Sequence, residues 1–230
     1  MLRQPASRAS SDQQPARDPV KTTLARPVQP ASADFGGDQS GRSRRDQILW
    51  QAQNLFAEQG FRETNLNDVA ERLGITRQAL YHYFKSKDEI LVELIQAAGR
   101  KLEQSAESAF AADITPSQKL VEIVRNHVRQ VLSNADGFRV QFDEMSKIGG
   151  ERGELLRKSQ AAYVRRVARV ISEGQRAGAF VDVPPTAQAL LIIGTCNGTV
   201  NWFRPSSRLG IDQIADHAAR TVVSGVERRT

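Results

Sequence analysis

The chain has 230 residues, a formal net charge of +6 at pH 7, 40% hydrophobic residues and 25% charged ones. That is enough apolar material for a packed core of one or two domains, and the basic balance fits a polyanionic partner. A single cysteine, Cys196, excludes an internal disulfide framework and a multi-cysteine zinc site, and His82, His127 and His217 stand in no metal-ligand spacing.

Residues 1–41 are rich in Pro, Ser, Ala, Gln, Asp and Arg and nearly empty of aromatic and branched apolar side chains. Such a segment cannot bury enough surface to offset its conformational entropy, so a disordered tail is expected. It holds no apolar stretch of a secretory leader. From residue 42 the apolar period is helical, no strand pattern appears, and an all-α chain is expected. The first helix, about 42–59, places Ile48, Ala52, Leu55 and Phe56 on one face before Gly60 stops it. A short helix over 66–73 has Asn65 as its N-cap and Asp68 three residues on. Gly74 ends it, and Thr76 caps a helix over 77–84. Ser86 and Glu89 form a capping-box pattern opening a long helix to about residue 111.

Thr115-Pro116 starts a helix reaching about residue 133. Further helices are expected over about 137–148, 151–177 (ending at Gly178), 185–203 and 211–226. The longest apolar run, residues 189–196, is far short of the roughly 20 residues of a membrane span. A cytoplasmic protein without a membrane partner is expected.

The segment from Asn65 to Phe84 has the pattern of a helix-turn-helix. Val69 and Leu73 form one apolar stripe, Ala70 is small where helices cross, and Gly74 supplies a left-handed turn. Leu80 and Phe84 point the second helix inward. Its other side carries Thr76, Arg77, Gln78, Tyr81 and His82, all able to hydrogen-bond, which suits insertion into the DNA major groove.

Residues 45–61 and 64–90 closely resemble the TetR family of transcriptional regulators, most specifically in Leu80-Tyr-His-Tyr-Phe-Lys-Ser-Lys87. The resemblance implies a helix-turn-helix DNA-binding domain over 42–88 and a helical ligand-binding and dimerisation domain over 89–228. It places Thr76, Arg77, Gln78 and His82 at or near base edges. Tyr81, Lys85 or Lys87, and Asn65 or Thr64, would hold phosphates. Arg77 and Gln78 are the expected specificity residues, since Arg pairs bidentately with guanine and Gln with adenine. Arg42, Arg44 and Arg45 form either a basic arm on DNA or a solvated linker.

The helix over 151–177 is two-faced. Lys158, Arg165, Arg169 and Arg176 share its polar side, as a solvated face, as a landing place for an anionic part of a ligand, or as a nonspecific contact to DNA. Small residues at Gly194 and Gly198 suit close helix approach. With Leu190 they would meet Ile214, Ala218 and Val222 in a four-helix homodimer interface. Cys196 reads as a buried apolar residue.

Two further segments, Phe142-Asp-Glu-Met145 and residues 201–210, are similar to a TetR subgroup that controls fatty-acid, aromatic-acid or steroid degradation. That similarity implies a small-molecule effector such as an acyl-CoA thioester, with Phe138, Phe142, Met145, Tyr163 and Trp202 as pocket candidates. Asp143 and Glu144 point about 100° apart on a helix and have no accompanying nucleophile or metal set, which argues against an enzyme. The expected function is a DNA-binding repressor released by its ligand. A ligand-independent or activating DNA-binding dimer, and a ligand scavenger that borrows the fold, stand as alternatives.

Overall fold

The computed structural model describes residues 43–228; the expected tail and Arg42 lie outside them. The described chain runs α1 (Arg44–Gln59), α2 (Leu66–Arg72), α3 (Arg77–Tyr83), α4 (Lys87–Ala111), α5 (Pro116–Leu132), α6 (Ala135–Met145), α7 (Gly150–Arg176), α8 (Pro185–Trp202) and α9 (Ile211–Val226). Among the described residues the only extended pairing is an isolated antiparallel bridge between Phe180 and Glu227.

Local chemistry sets the helix ends. Asn65 accepts from the backbone of Asn67 and Asp68, and the Asp68 carboxylate accepts from the Asn65 N–H at 2.7 Å, a complete capping box. Thr115 and Gln118 make a second one ahead of Pro116. The box expected at Ser86 forms only in half. Ser86 caps Glu89, but the Glu89 carboxylate reaches one residue further back, to the Lys85 N–H at 2.8 Å.

Two large apolar clusters, with a small third one beside them, organise the described residues. The first joins Ile48, Ala52 and Phe56 of α1 to Val69 of α2, Leu80 of α3 and the adjoining Phe84, and extends to Ile90 and Leu94 of α4. The second fills the space between α4, α5, α7, α8 and α9. Helix α4 therefore belongs to both. Gly174 is required in the second cluster because the Phe180 ring lies against it: a Cβ there would stand 2.1 Å from Phe180 Cδ2.

Burial corrects the expected interface on α9. Ile214 and Val222 are 4% and 8% exposed and Ala218 is half-buried, because the apolar stripe of α9 packs into its own protomer against α5. On α8, Leu190 and Gly194 are exposed and Gly198 is half-buried. Cys196 faces inward, and burial pushes its thiol up to about 12.

The expected aromatic pocket also needs correction, since its five residues do not converge. Phe138 is buried with Phe142 at 5.6 Å between ring centroids. Met145 packs on the separate cluster of Leu91, Ile95 and Leu156. Tyr163 is locked in the core, where its hydroxyl meets His127 Nδ1 at 3.2 Å. Trp202, at the end of α8, is 58% exposed.

Candidate nucleic-acid interface

The turn between α2 and α3 sets the direction of everything that follows. Gly74 has φ +63°, its N–H donates to Glu71 O, and the Ile75 N–H donates to Ala70 O. This is a Schellman closure, and it needs a residue at ease in the left-handed region. Thr76 then takes extended backbone, and its hydroxyl oxygen accepts from the Ala79 N–H at 3.1 Å, which starts α3. Leu80 and Phe84 are fully buried, so the opposite side of α3 must face outward.

That side carries the expected polar groups. Thr76, Arg77, Gln78 and His82 are exposed and Tyr81 is half-buried. Arg77, Gln78, Tyr81 and His82 fall within about 140° of the helix circumference, one continuous donor-rich strip. Arg77 donates to the Tyr81 hydroxyl at 3.3 Å, and its guanidinium lies 5.2 Å from that ring's centroid. Tyr81 thus restrains the long arginine side chain before any DNA is met. Lys85, also exposed, donates to Tyr81 O at 2.8 Å and leaves its charge at the C-terminal end of α3. Asn65 is exposed at the start of α2, and Arg44 in the first turn of α1 donates to Gln47.

Three expected DNA contacts are occupied inside the protein. Thr64 is 1% exposed and its hydroxyl donates to Gly60 O at 2.7 Å. Lys87 spends its three ammonium hydrogens on the carbonyls of Phe61, Arg62 and Thr64 at 2.7, 2.8 and 3.0 Å, with its charge over the Phe61 ring. It ties the α1–α2 connection to the start of α4. Arg45 pairs with Glu93 and donates to Tyr83 O while stacking on Phe84 at 4.3 Å. The Glu93 hydrogen bond holds the Arg45 guanidinium above its ordinary pKa. Sequence reasoning placed these three on DNA because charge and polarity are visible in a sequence whereas internal partners are not; Glu93 carried no signal at all.

The exposed basic stripe of α7 is answered partly from its own helix. Lys158 lies 3.8 Å from Glu154, and Arg176 donates to Ser172 O. Arg169 borders a crevice beside the Arg166–Glu107 pair, which is 2.7 Å apart. In the helical core, His127 is enclosed between Tyr163 and Asn197. Burial pushes its pKa down to about 4, so it is neutral at ordinary pH. Nε2, 2.9 Å from the Asn197 carbonyl oxygen, carries the proton, and Nδ1 accepts from the tyrosine. Among the described residues no cluster of His, Cys, Asp or Glu could hold a metal ion, and no helix is long and apolar enough to cross a membrane.

A helix-turn-helix with its polar strip outward, mounted on a larger helical core, defines a DNA-binding transcriptional regulator of the all-helical kind. Residues 48–94 match the family described as bacterial regulatory proteins, tetR family, and residues 113–226 match the tetracyclin repressor-like C-terminal domain. The chain belongs to the TetR family. It is 26% identical over 192 residues to the HTH-type transcriptional repressor KstR2 of Rhodococcus jostii, covering 82% of this chain and 94% of that one. It is 21% identical over 192 residues to the fatty acid metabolism regulator protein of Bacillus subtilis, covering 82% and 98%. The fold is shared with AibR, whose structure was solved with isovaleryl coenzyme A and operator DNA: TM-score 0.71, 23% identity, 78% of this chain and 97% of that one. The family and these relatives are regulators, not enzymes.

Proposed function

We propose that this chain is a cytoplasmic homodimeric repressor that grips operator DNA through two copies of α3 and is released by an acyl-CoA thioester. The observation carrying the DNA reading is the outward strip of Arg77, Gln78, Tyr81 and His82 beyond the Gly74 turn. Arg77 and Gln78 supply base readout and Lys85 and Asn65 supply phosphate contacts.

Dimerisation is supported by α8. Leu190 and Leu191 are 55% and 66% exposed, and together with Gly194, Thr195, Gly198 and Trp202 they occupy one stripe about 140° wide. An apolar stripe of that breadth suits burial against a symmetry mate. The exposed polar face of α9, with Gln213, His217 and Arg220, would flank it.

Repression and the acyl-CoA class are supported by the likeness to KstR2, to a fatty acid metabolism regulator and to AibR. The recognition helices of a dimer must sit roughly 34 Å apart, or a multiple of the DNA turn. A ligand that binds better to a differently spaced state withdraws them from the grooves, by no more than its differential affinity.

The test is a footprint on the DNA flanking the protein's own gene, repeated with acyl-CoA esters. Protection that the esters abolish is expected. Arg77→Ala should weaken operator binding by about 1–3 kcal/mol. Protection indifferent to every ester would remove the effector class, and an unchanged Arg77→Ala affinity would remove that residue from base readout.

A further inference from the structure

We infer that Arg139 is a positioning residue for DNA binding. It ties α6, against which the reading head of α1–α3 rests, to the last turn of α8, and so holds α3 in place relative to the apolar stripe of α8. The dimer and the operator in this statement rest on the function proposed above; the tie itself lies within one chain.

On the head side, α6 makes contacts along its length. Val140 packs against the apolar cluster of the head, while Phe138 on the same helix is buried in the second cluster. Gln53 of α1, only 6% exposed, donates to Asn134 Oδ1 at 2.9 Å, just ahead of α6. Arg62, between α1 and α2, comes within 4.0 Å of Glu144 near the other end, a weak contact because its side chain is largely exposed. The head therefore leans on α6 as well as on α4. A body attached to one rod can still swing about it, and a second support away from that rod removes the swing.

On the far side, Arg139 donates from Nε to Val200 O and from Nη2 to Phe203 O, each at 2.9 Å. Its Nη1 pairs with Asp136, one turn earlier. All three nitrogens are engaged, a use that the planar fork of arginine allows.

The end of α8 is shaped to receive this fork. Its helical ladder closes with the Phe203 N–H on Thr199 O. The next N–H, of Arg204, turns away to Ser207 Oγ at 3.1 Å, which leaves the Val200 carbonyl to another donor. Capping alone does not call for a partner from α6, since the Arg204 side chain already reaches Asn201 O and Phe203 O at 3.3 and 2.8 Å. What Arg139 adds is the link between helices. Trp202, 58% exposed on the stripe proposed to meet a second subunit, belongs to the turn that Arg139 grips.

The first test needs neither DNA nor a second subunit. Glu71→Cys on α2 and Arg165→Cys on α7, both exposed positions, carry nitroxide labels, and the buried Cys196 stays unlabelled. Dilution with unlabelled chain isolates the distance within one chain, read by pulsed electron paramagnetic resonance. Arg139→Met should widen the head-to-core distance distribution about twofold, because losing the tie lets further head positions be populated. Arg204→Met, which removes the local cap and spares the link, should match the parent. Equal widths in the parent and Arg139→Met overturn the inference, and so does equal broadening in both variants. Should Arg139→Met not fold, Arg139→Lys, with one ammonium in place of the fork, is judged by the same criterion.

The second test is on DNA. One head bound to its half-site raises the local concentration of the other at the second half-site only while their spacing is held. Arg139→Met should therefore bind the footprinted fragment about tenfold more weakly than the wild type, with unchanged affinity for a duplex carrying one half-site. An undiminished affinity for the fragment, or an equal loss on both duplexes, overturns the inference. A wild type that protects no fragment, or that sediments as a monomer, refutes the regulator reading instead, and the distance measurement then decides the tie by itself.

Discussion

Replacing His127 by glutamine removes a buried imidazole, and the expected consequence is a change in how stability depends on pH. The ring is 2% exposed, and burial lowers its pKa from the usual 6.5 to about 4. Between those values the unfolded chain binds a proton that the folded chain refuses, so stability rises with pH there. The contribution is fully present above about pH 6.5 and is lost as the pH falls through about 4. The whole interval corresponds to about 3.4 kcal/mol, of which about 2 kcal/mol is already gone at pH 5. Urea unfolding of the wild type and His127→Gln at about pH 7.5 and pH 5, at one protein concentration, isolates this share. Carboxylates such as Glu107 and Asp216, held low by Arg166 and Arg125, titrate in both proteins and cancel in the difference. The stability gap between the two proteins should shift by about 2 kcal/mol against the wild type on acidification. A gap that is the same at both pH values would refute the enclosure of a neutral His127.

Lys87→Met should cost about 2 kcal/mol in unfolding experiments, as expected for hydrogen bonds from a charged group, with the salt dependence of operator binding unchanged. Lys85→Ala should do the opposite, leaving melting unaltered while reducing the salt slope by about one phosphate contact. If Lys87→Met lowers the slope and spares stability, the two assignments are reversed. Gly74→Ala should destabilise by about 1–2 kcal/mol through its left-handed backbone alone. A Cβ there meets nothing within 4 Å, so a much larger loss would point to an unseen contact. Leu191→Glu should convert a sedimenting dimer into a monomer, and a dimer that persists would place the interface away from α8.

Helix ends were largely legible in the sequence because their chemistry is local. Asn65 with Asp68, Thr115 with Pro116, and Gly74 and Gly178 mark boundaries within a few residues of where the helices begin and stop. The polar strip of α3 was legible for the same reason, since Leu80 and Phe84 leave a single way for the helix to face. What failed depended on partners distant in sequence. Arg45 and Lys87 look like DNA ligands until Glu93 and three backbone carbonyls claim them. In α9, periodicity finds the apolar stripe, but it cannot tell whether that stripe meets α5 of the same chain or a second subunit. The five aromatic and sulfur-bearing residues expected to share a pocket are spread over three helices, and composition carries no information on how those helices are rotated. The burial of Gln53 and Gln141 was invisible for a similar reason: a glutamine on an amphipathic helix reads as surface until the neighbouring helix closes over it.

Because Ile90 and Leu94 are built into the first apolar cluster while later turns of α4 belong to the second, the reading head cannot move independently of that helix. With 25 residues, α4 is a rod about 37 Å long. A tilt of about 5° pivoting at its far end carries the near end about 3 Å sideways by rigid-rod geometry. Two such rods in a symmetric pair would alter the separation of their tips by up to twice that. Small rearrangements deep in the core thus have a built-in lever arm, and a duplex of fixed pitch is an unforgiving ruler against which to measure its swing.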